Sequence, residues 1–160
     1  MRAPGAAGVV VGVLACLFIG CAGSGGGGGG GGGPKPPACK SQVPGDPISY
    51  PNNIAPILAR SCGLAGCHVP PIVNAGLDLT PAKAYDQMVN VNSSQVPSLK
   101  RIKPGDPDNS YLLRKITPGS EIQGVLMPNG CPGTPAAGQC LLPDEIDAFR
   151  TWILECAPRT

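Results

Sequence analysis

Seven consecutive residues carry the chemistry most open to inference: Cys62-Gly63-Leu64-Ala65-Gly66-Cys67-His68. Two thiols are separated by four residues, and an imidazole follows the second directly. His68 is the only histidine in the 160-residue chain. A tetrahedral zinc site requires four Cys or His ligands, usually in two close pairs, and the sequence offers no second close pair. A Cys–His nucleophile pair is disfavoured, because adjacent side chains rarely face each other and no other histidine is present to act as a base. Two uses remain. Either Cys62 and Cys67 close a small disulfide beside an exposed His68, or the thiols hold a flat cofactor covalently while the imidazole ligates its metal.

The second use resembles a c-type haem attachment site, in which two thiols bond the two vinyl groups and the next histidine ligates the iron. The thioether at Cys67 would fix the porphyrin edge and leave His68 beneath the metal. Two residues between the cysteines is the usual spacing. Four require a wider loop, which the small Gly63, Ala65 and Gly66 permit. A haem held by His commonly takes Met as its sixth ligand. Of three methionines, Met1 belongs to the leader, and Met88 sits in Tyr85-Asp86-Gln87-Met88-Val89, which reads as helix and makes it core filler. Met127 lies in Val125-Leu126-Met127-Pro128-Asn129-Gly130, where Pro and Gly mark a loop. Met127 is therefore the expected distal ligand, with Met88 as the alternative.

The other cysteines fall into two groups. Residues 1–20 read as a signal peptide, with Arg2 ahead of an apolar run from Val9 to Ile19 that is too short to span a bilayer. Cys16 leaves with that leader. Ile19-Gly20-Cys21-Ala22 resembles a bacterial lipobox, which implies lipidation of Cys21. A Gly- and Pro-rich tether completes residues 21–38, a flexible coil with a stiffer Pro34-Lys35-Pro36-Pro37 exit. Cys39, Cys131, Cys140 and Cys156 remain, an even number suited to disulfides in an exported protein. Four cysteines allow three pairings. In one of them Cys131–Cys140 staples a Gly/Pro-rich loop and Cys39–Cys156 ties the ends of the 39–160 domain together.

The elements that must position these residues read as helices. Asn52 to Arg60 carries Ile54, Ile57 and Leu58 on one stripe and leads into Cys62. Thr80-Pro81 reads as an N-cap and first helical position, opening a helix through Tyr85 and Val89. Asp106-Pro107 opens another through Tyr111, Leu112 and Lys115. Pro143-Asp144-Glu145 starts the last, whose stripe is Ile146, Phe149, Ile153 and Cys156 with Trp152 alongside. No alternating strand pattern of useful length is present, so the expected fold is mostly α. Beyond the leader, only Tyr50, Tyr85, Tyr111, Phe149 and Trp152 are aromatic, which leaves the core dependent on disulfides or a cofactor. A net charge of +2 with 14% charged residues excludes a nucleic-acid binder.

From about Tyr50 to Ala157 the chain resembles a single-haem, class I-like cytochrome c domain of an exported bacterial lipoprotein. Besides the Cys-His site, the resemblance rests on Ile54 to Arg60, Gly76-Leu77-Asp78-Leu79, Pro104-Gly105-Asp106-Pro107 with Ser110-Tyr111-Leu112, Leu126-Met127-Pro128, and Ile146 to Ile153. It implies a small helical fold around one covalent haem c, with first and last helices crossing near the haem edge. It also implies one-electron transfer to redox protein partners rather than catalysis, by a monomer anchored through lipid on the periplasmic or cell-surface side of a membrane. Lys100, Arg101 and Lys103 form a basic run that either docks partners or is a solvated loop. Two rival functions predict different chemistry. A haem enzyme or sensor would leave the distal position open, and a haem-free, disulfide-stapled surface module would pair Cys62 with Cys67.

Overall fold

The structure is a computed structural model that describes Cys39 and residues 47–160. The leader (1–20), Cys21 and the whole tether through Ala38 lie outside the described residues. The fold begins with a wide π-helical turn, Tyr50–Ile54, that runs directly into α1, Ala55–Ser61. Ser49 caps the turn by accepting from the Asn52 N–H, and Pro56 sits where its missing N–H costs nothing. Ile54, Ile57 and Leu58 all face inward, as their spacing requires. After the Cys-His loop, two short strands pair antiparallel. These are β1, His68–Val69, and β2, Ile72–Val73, with His68 opposite Val73. Strands of two residues are too short to show an alternating pattern, so the sequence carries no sign of them.

The next helix starts later than Thr80-Pro81 suggests. Asp78, not Thr80, supplies the side-chain acceptor: its Oδ1 takes the Thr80 N–H at 3.0 Å and the Thr80 hydroxyl at 2.8 Å. Thr80 to Lys83 form a turn, and α2 covers only Ala84–Met88. The Thr80 hydroxyl donates to the carboxylate two positions earlier and is not used as a cap for the next turn, which accounts for the displacement. The Asp106-Pro107 signal likewise yields one turn of 3-10 helix, Pro107–Asn109, with the Asp106 carboxylate accepting from the Asn109 N–H. Ser110 is extended, and α3 follows at Tyr111–Ile116.

Helix α4, Pro143–Leu154, opens at proline with two acidic residues in its first turn, where the dipole favours them. Glu145 reaches back to accept from the Leu142 N–H at 2.9 Å. The helix ends before Cys156, because Cys156 and Ala157 both take positive φ and turn the chain away. Phe149, Trp152 and Ile153 are buried. Helix α4 packs on α3 and on the Tyr50–Ile54 turn. Its tie to α1 is a surface ion pair, Arg60 to Glu145, at 2.6 Å. The core gathers Ile54, Leu58, Leu79, Met88, Ile102, Leu113, Ile116 and Phe149 around Trp152.

Of the three pairings open to the four outer cysteines, the structure has Cys39–Cys156 and Cys131–Cys140, with Cα separations of 5.3 and 5.6 Å. Cys62 and Cys67 are free. Among the described residues no helix is long and apolar enough to cross a membrane.

Candidate functional site

Helix α1 delivers the first thiol. Its last turn closes with the Cys62 and Gly63 N–H groups both donating to the Leu58 carbonyl, at 2.8 and 2.7 Å. The spacer then bends sharply. A Cβ on Gly63 would lie 2.9 Å from the Leu79 carbonyl oxygen, and Gly66 has φ +79°, so the loop uses both glycines for what side chains forbid. The Cys67 N–H donates to Leu64 O at 3.0 Å, and the Asn74 side-chain amide donates to Gly66 O and Cys67 O at 3.2 and 2.8 Å. The wide Cys-x4-Cys spacer is thus fastened at its far end by a residue six positions past the histidine motif.

Cys62, Cys67, His68 and Met127 line one cavity of about 470 Å³. Met88 does not; it is fully buried in the core. Leu58, Leu79, Ile116, Leu141 and Phe149 supply an apolar wall, while Asn74, Ser93, Ser94, Gln95, Arg101 and Lys115 make the rest polar. The volume falls in the range of small-molecule and cofactor sites, roughly 300–1,000 Å³.

Electrostatics favour neutral groups at Cys62 and His68. Burial pushes the Cys62 thiol up to about 12, and the neighbouring Cys67 adds to the rise against a small opposing pull from Arg60. A thiol so held is neither a reactive thiolate nor a ready metal ligand. The His68 imidazole is held below its ordinary value, first by burial and also by the positive charges of Arg101 and Lys115, against the carbonyls of Leu77 and Asn74. Its Nδ1 lies 3.1 Å from the Leu77 carbonyl oxygen, which can only accept. Nδ1 therefore carries the proton and Nε2 keeps its lone pair, the form in which an imidazole ligates a metal.

No family model, no curated protein and no solved structure matches the chain. The site has to be read from its own geometry. Among the described residues no three His, Cys, Asp or Glu side chains converge as a metal-holding group. The donors that do share the cavity are one imidazole, one thioether and two thiols.

The basic run Lys100-Arg101-Lys103 does not present three free cations. Arg101 is 9% exposed and faces inward, donating to Gln87 O at 2.8 Å and to Ala75 O and Gly76 O at 3.2 and 3.1 Å. Lys103 pairs with Asp106 at 2.8 Å, and Lys100 donates to Asn90 O. Arg101 instead braces the turn Asn74–Gly76, in which Ala75 takes φ +55° and which leads to the Leu77 carbonyl that orients His68. Lys115 is the second residue that sequence reasoning passed over. It is 8% exposed, and its Nζ donates to Gln123 O and Val125 O at 2.9 and 2.6 Å. Neither cation meets a carboxylate among the described residues. A signal for Lys115 was present: it lies four residues after Tyr111, on the same helical face as a residue that is buried. Asn74 and Arg101 left no such local trace.

Proposed function

We propose that the 39–160 domain is a single-haem electron carrier, with one haem c bonded to Cys62 and Cys67 and ligated by His68 and Met127. The carrying observation is that these four side chains line one largely apolar cavity while the other four cysteines of the 39–160 domain are paired in two disulfides. The donor set fits the group. Two unbridged thiols are available for the vinyl carbons, an imidazole is fixed by Leu77 in its ligating tautomer, and a thioether sulfur is supplied by a separate loop. The haem-free module would bridge Cys62 to Cys67, and the free state of both thiols disfavours it.

When bound, haem supplies a reversible one-electron Fe(III)/Fe(II) couple. The chain's own part is to hold and tune it. Leu58, Leu79, Ile116 and Phe149 exclude water from the site, and low polarity together with Met ligation favours the reduced state. His68 is committed through Nδ1, and the Tyr111 hydroxyl and Lys115 ammonium, which also line the cavity, are engaged with the backbone of 123–125, which favours electron transfer over acid–base catalysis. In this reading the chain is exported, lipidated at Cys21 and held at a membrane surface, where it meets redox partners as a monomer.

The test is expression of the full chain in a bacterium with haem-maturation machinery, followed by denaturing electrophoresis with haem stain and a reduced-minus-oxidised spectrum. A stained band with sharp reduced α and β bands is expected. Cys62→Ala with Cys67→Ala should abolish the stain. An unstained, colourless, folded product would sink the proposal.

A further inference from the structure

Lys115 is a buried cation that meets no carboxylate among the described residues. Taking an ammonium out of water costs several kcal/mol unless a compensating charge or well-made hydrogen bonds offset it, so such a residue is kept for what it does. Its hydrogen bonds all converge on one segment. The ammonium donates to Gln123 O and Val125 O, and its own backbone carbonyl accepts the Met127 N–H at 2.7 Å. One turn earlier on α3, the Tyr111 hydroxyl accepts the Gln123 N–H at 2.9 Å. Four hydrogen bonds from two residues of one helix therefore fix the backbone of 123–127, the segment that ends at Met127.

That segment has little else to hold it. Gln123, Gly124 and Val125 are exposed, Val125 at 53%, and none belongs to a helix or strand. Gly124 has φ +74°. A thioether ligand bonds iron weakly compared with an imidazole, so it stays bound only where the backbone already presents it at the right place. A neutral amide at position 115 is too short to span both carbonyls. The long lysine stem with three donors reaches both and keeps its charge-assisted bonds, which are about twice as strong as neutral ones.

From this geometry we infer that Lys115 is the positioning residue for Met127, holding the distal loop so that its sulfur reaches the iron. The inference rests on the haem reading and adds to it a residue that does not itself touch the metal. It also accounts for the placing of a lysine among the buried residues of α3, where packing alone would select an apolar side chain.

The experiment compares the full chain with Lys115→Leu, Lys115→Arg and, as a surface control, Lys103→Gln. Haem stain is read first, then the weak far-red thioether–iron band of the oxidised protein, then the concentration of added imidazole that half-saturates the iron. All four proteins should stain. Wild type, Lys115→Arg and Lys103→Gln should show the far-red band. Lys115→Leu should lose it and bind imidazole at a concentration lower by tenfold or more. A Lys115→Leu protein that keeps the band and the wild-type imidazole affinity overturns the inference, and so does a stained wild type without the band, which leaves covalent haem standing. An unstained wild type overturns both readings. Should Lys115→Leu not fold, hydrogen exchange at the Met127 amide of the wild type decides. Protection equal to that of the α3 amides supports the clamp, and exchange at the rate of free chain overturns it.

Discussion

Two regions of this domain solve the problem of a small core in opposite ways. Around Trp152 the chain fills its own interior. Tyr50 lies 5.1 Å from Tyr85 edge-on and 5.7 Å from Trp152, and Tyr85 stands 6.2 Å from Trp152. Two polar tips are satisfied, with the Tyr85 hydroxyl donating to Ala157 O and the Trp152 N–H to Pro158 O, both at 2.8 Å. Cys39–Cys156 and Arg159, stacked 4.6 Å over the Tyr85 ring, close the region at the C-terminus. Around His68 the chain does the reverse. Small residues make the Cys loop, and the wall presents donors and two cations that meet no carboxylate among the described residues. The first region stabilises the fold; the second spends some of that stability on a built cavity.

The comparison breaks most visibly at Trp152. Truncating a fully buried Trp removes packing from Tyr50 and Tyr85 at once, and Trp152→Ala should cost about 3–5 kcal/mol in urea unfolding. Haem stain should persist in whatever fraction folds, because Trp152 does not itself line the cavity. Met127→Ala should behave oppositely. Met127 is only partly buried, so the unfolding midpoint should shift far less while the far-red band disappears. If the Trp variant lost stain before it lost structure, the two regions would not be separable.

The two disulfides sharpen the same contrast. Cys39–Cys156 links residues 117 apart, and the chain-entropy model assigns such a bridge roughly 4–5 kcal/mol; Cys131–Cys140, with a separation of 9, is assigned roughly 2–3. Paired Cys→Ala variants should therefore destabilise in that order. The Cys131–Cys140 pair should act mainly on the loop after Met127, seen as a weakened far-red band with a modest change in midpoint. Equal effects of the two removals on the band would contradict this division.

Much of the candidate site was legible because it is written locally. The Cys-x4-Cys-His run, the Leu-Met-Pro loop and the proline-led starts of the helices are each recognisable within a few residues, and the structure brings Cys62, Cys67, His68 and Met127 to one cavity. What was not legible depends on partners distant in sequence. Lys100-Arg101-Ile102-Lys103 reads as a basic surface run, yet a guanidinium turns inward when carbonyls 14, 25 and 26 residues away converge on it. Backbone carbonyls carry no residue identity, so no sequence pattern announces them. The shortened α2 was not legible for a related reason: the Thr80 hydroxyl can cap the next turn or donate to Asp78, and composition alone does not say which use wins.

Gly63→Ala tests how tightly the Cys loop is built. The new Cβ would stand 2.9 Å from the Leu79 carbonyl oxygen, a backbone atom that cannot swing away. Overpacking of this kind costs about 1–3 kcal/mol. The displaced loop should also reduce covalent haem per protein, measured as the ratio of haem absorbance to protein. Full haem loading with an unchanged midpoint would show that the spacer has slack and that its glycines are not required.

The smallest effect is a pH dependence set outside both regions, at the Asp78 turn. Lys83 at 2.9 Å, with the Thr80 backbone and hydroxyl, holds the Asp78 carboxyl down at about 2 against an ordinary 3.8. A depressed carboxyl contributes stability that is fully present above the unfolded value and is lost as pH falls through the folded one. The contribution is therefore complete above about pH 4 and declines between there and pH 2. Asp106 is lowered too, with burial opposing and Lys103 and Asn109 prevailing, so the wild-type slope has more than one source. Asp78→Asn should flatten the fall of Tm between pH 4 and 2 without removing it, and should leave the far-red band unchanged at neutral pH. A change in that band would mean that the turn before α2 reaches the iron through Leu77, whose carbonyl orients His68 one residue away, and that the two regions share a hinge.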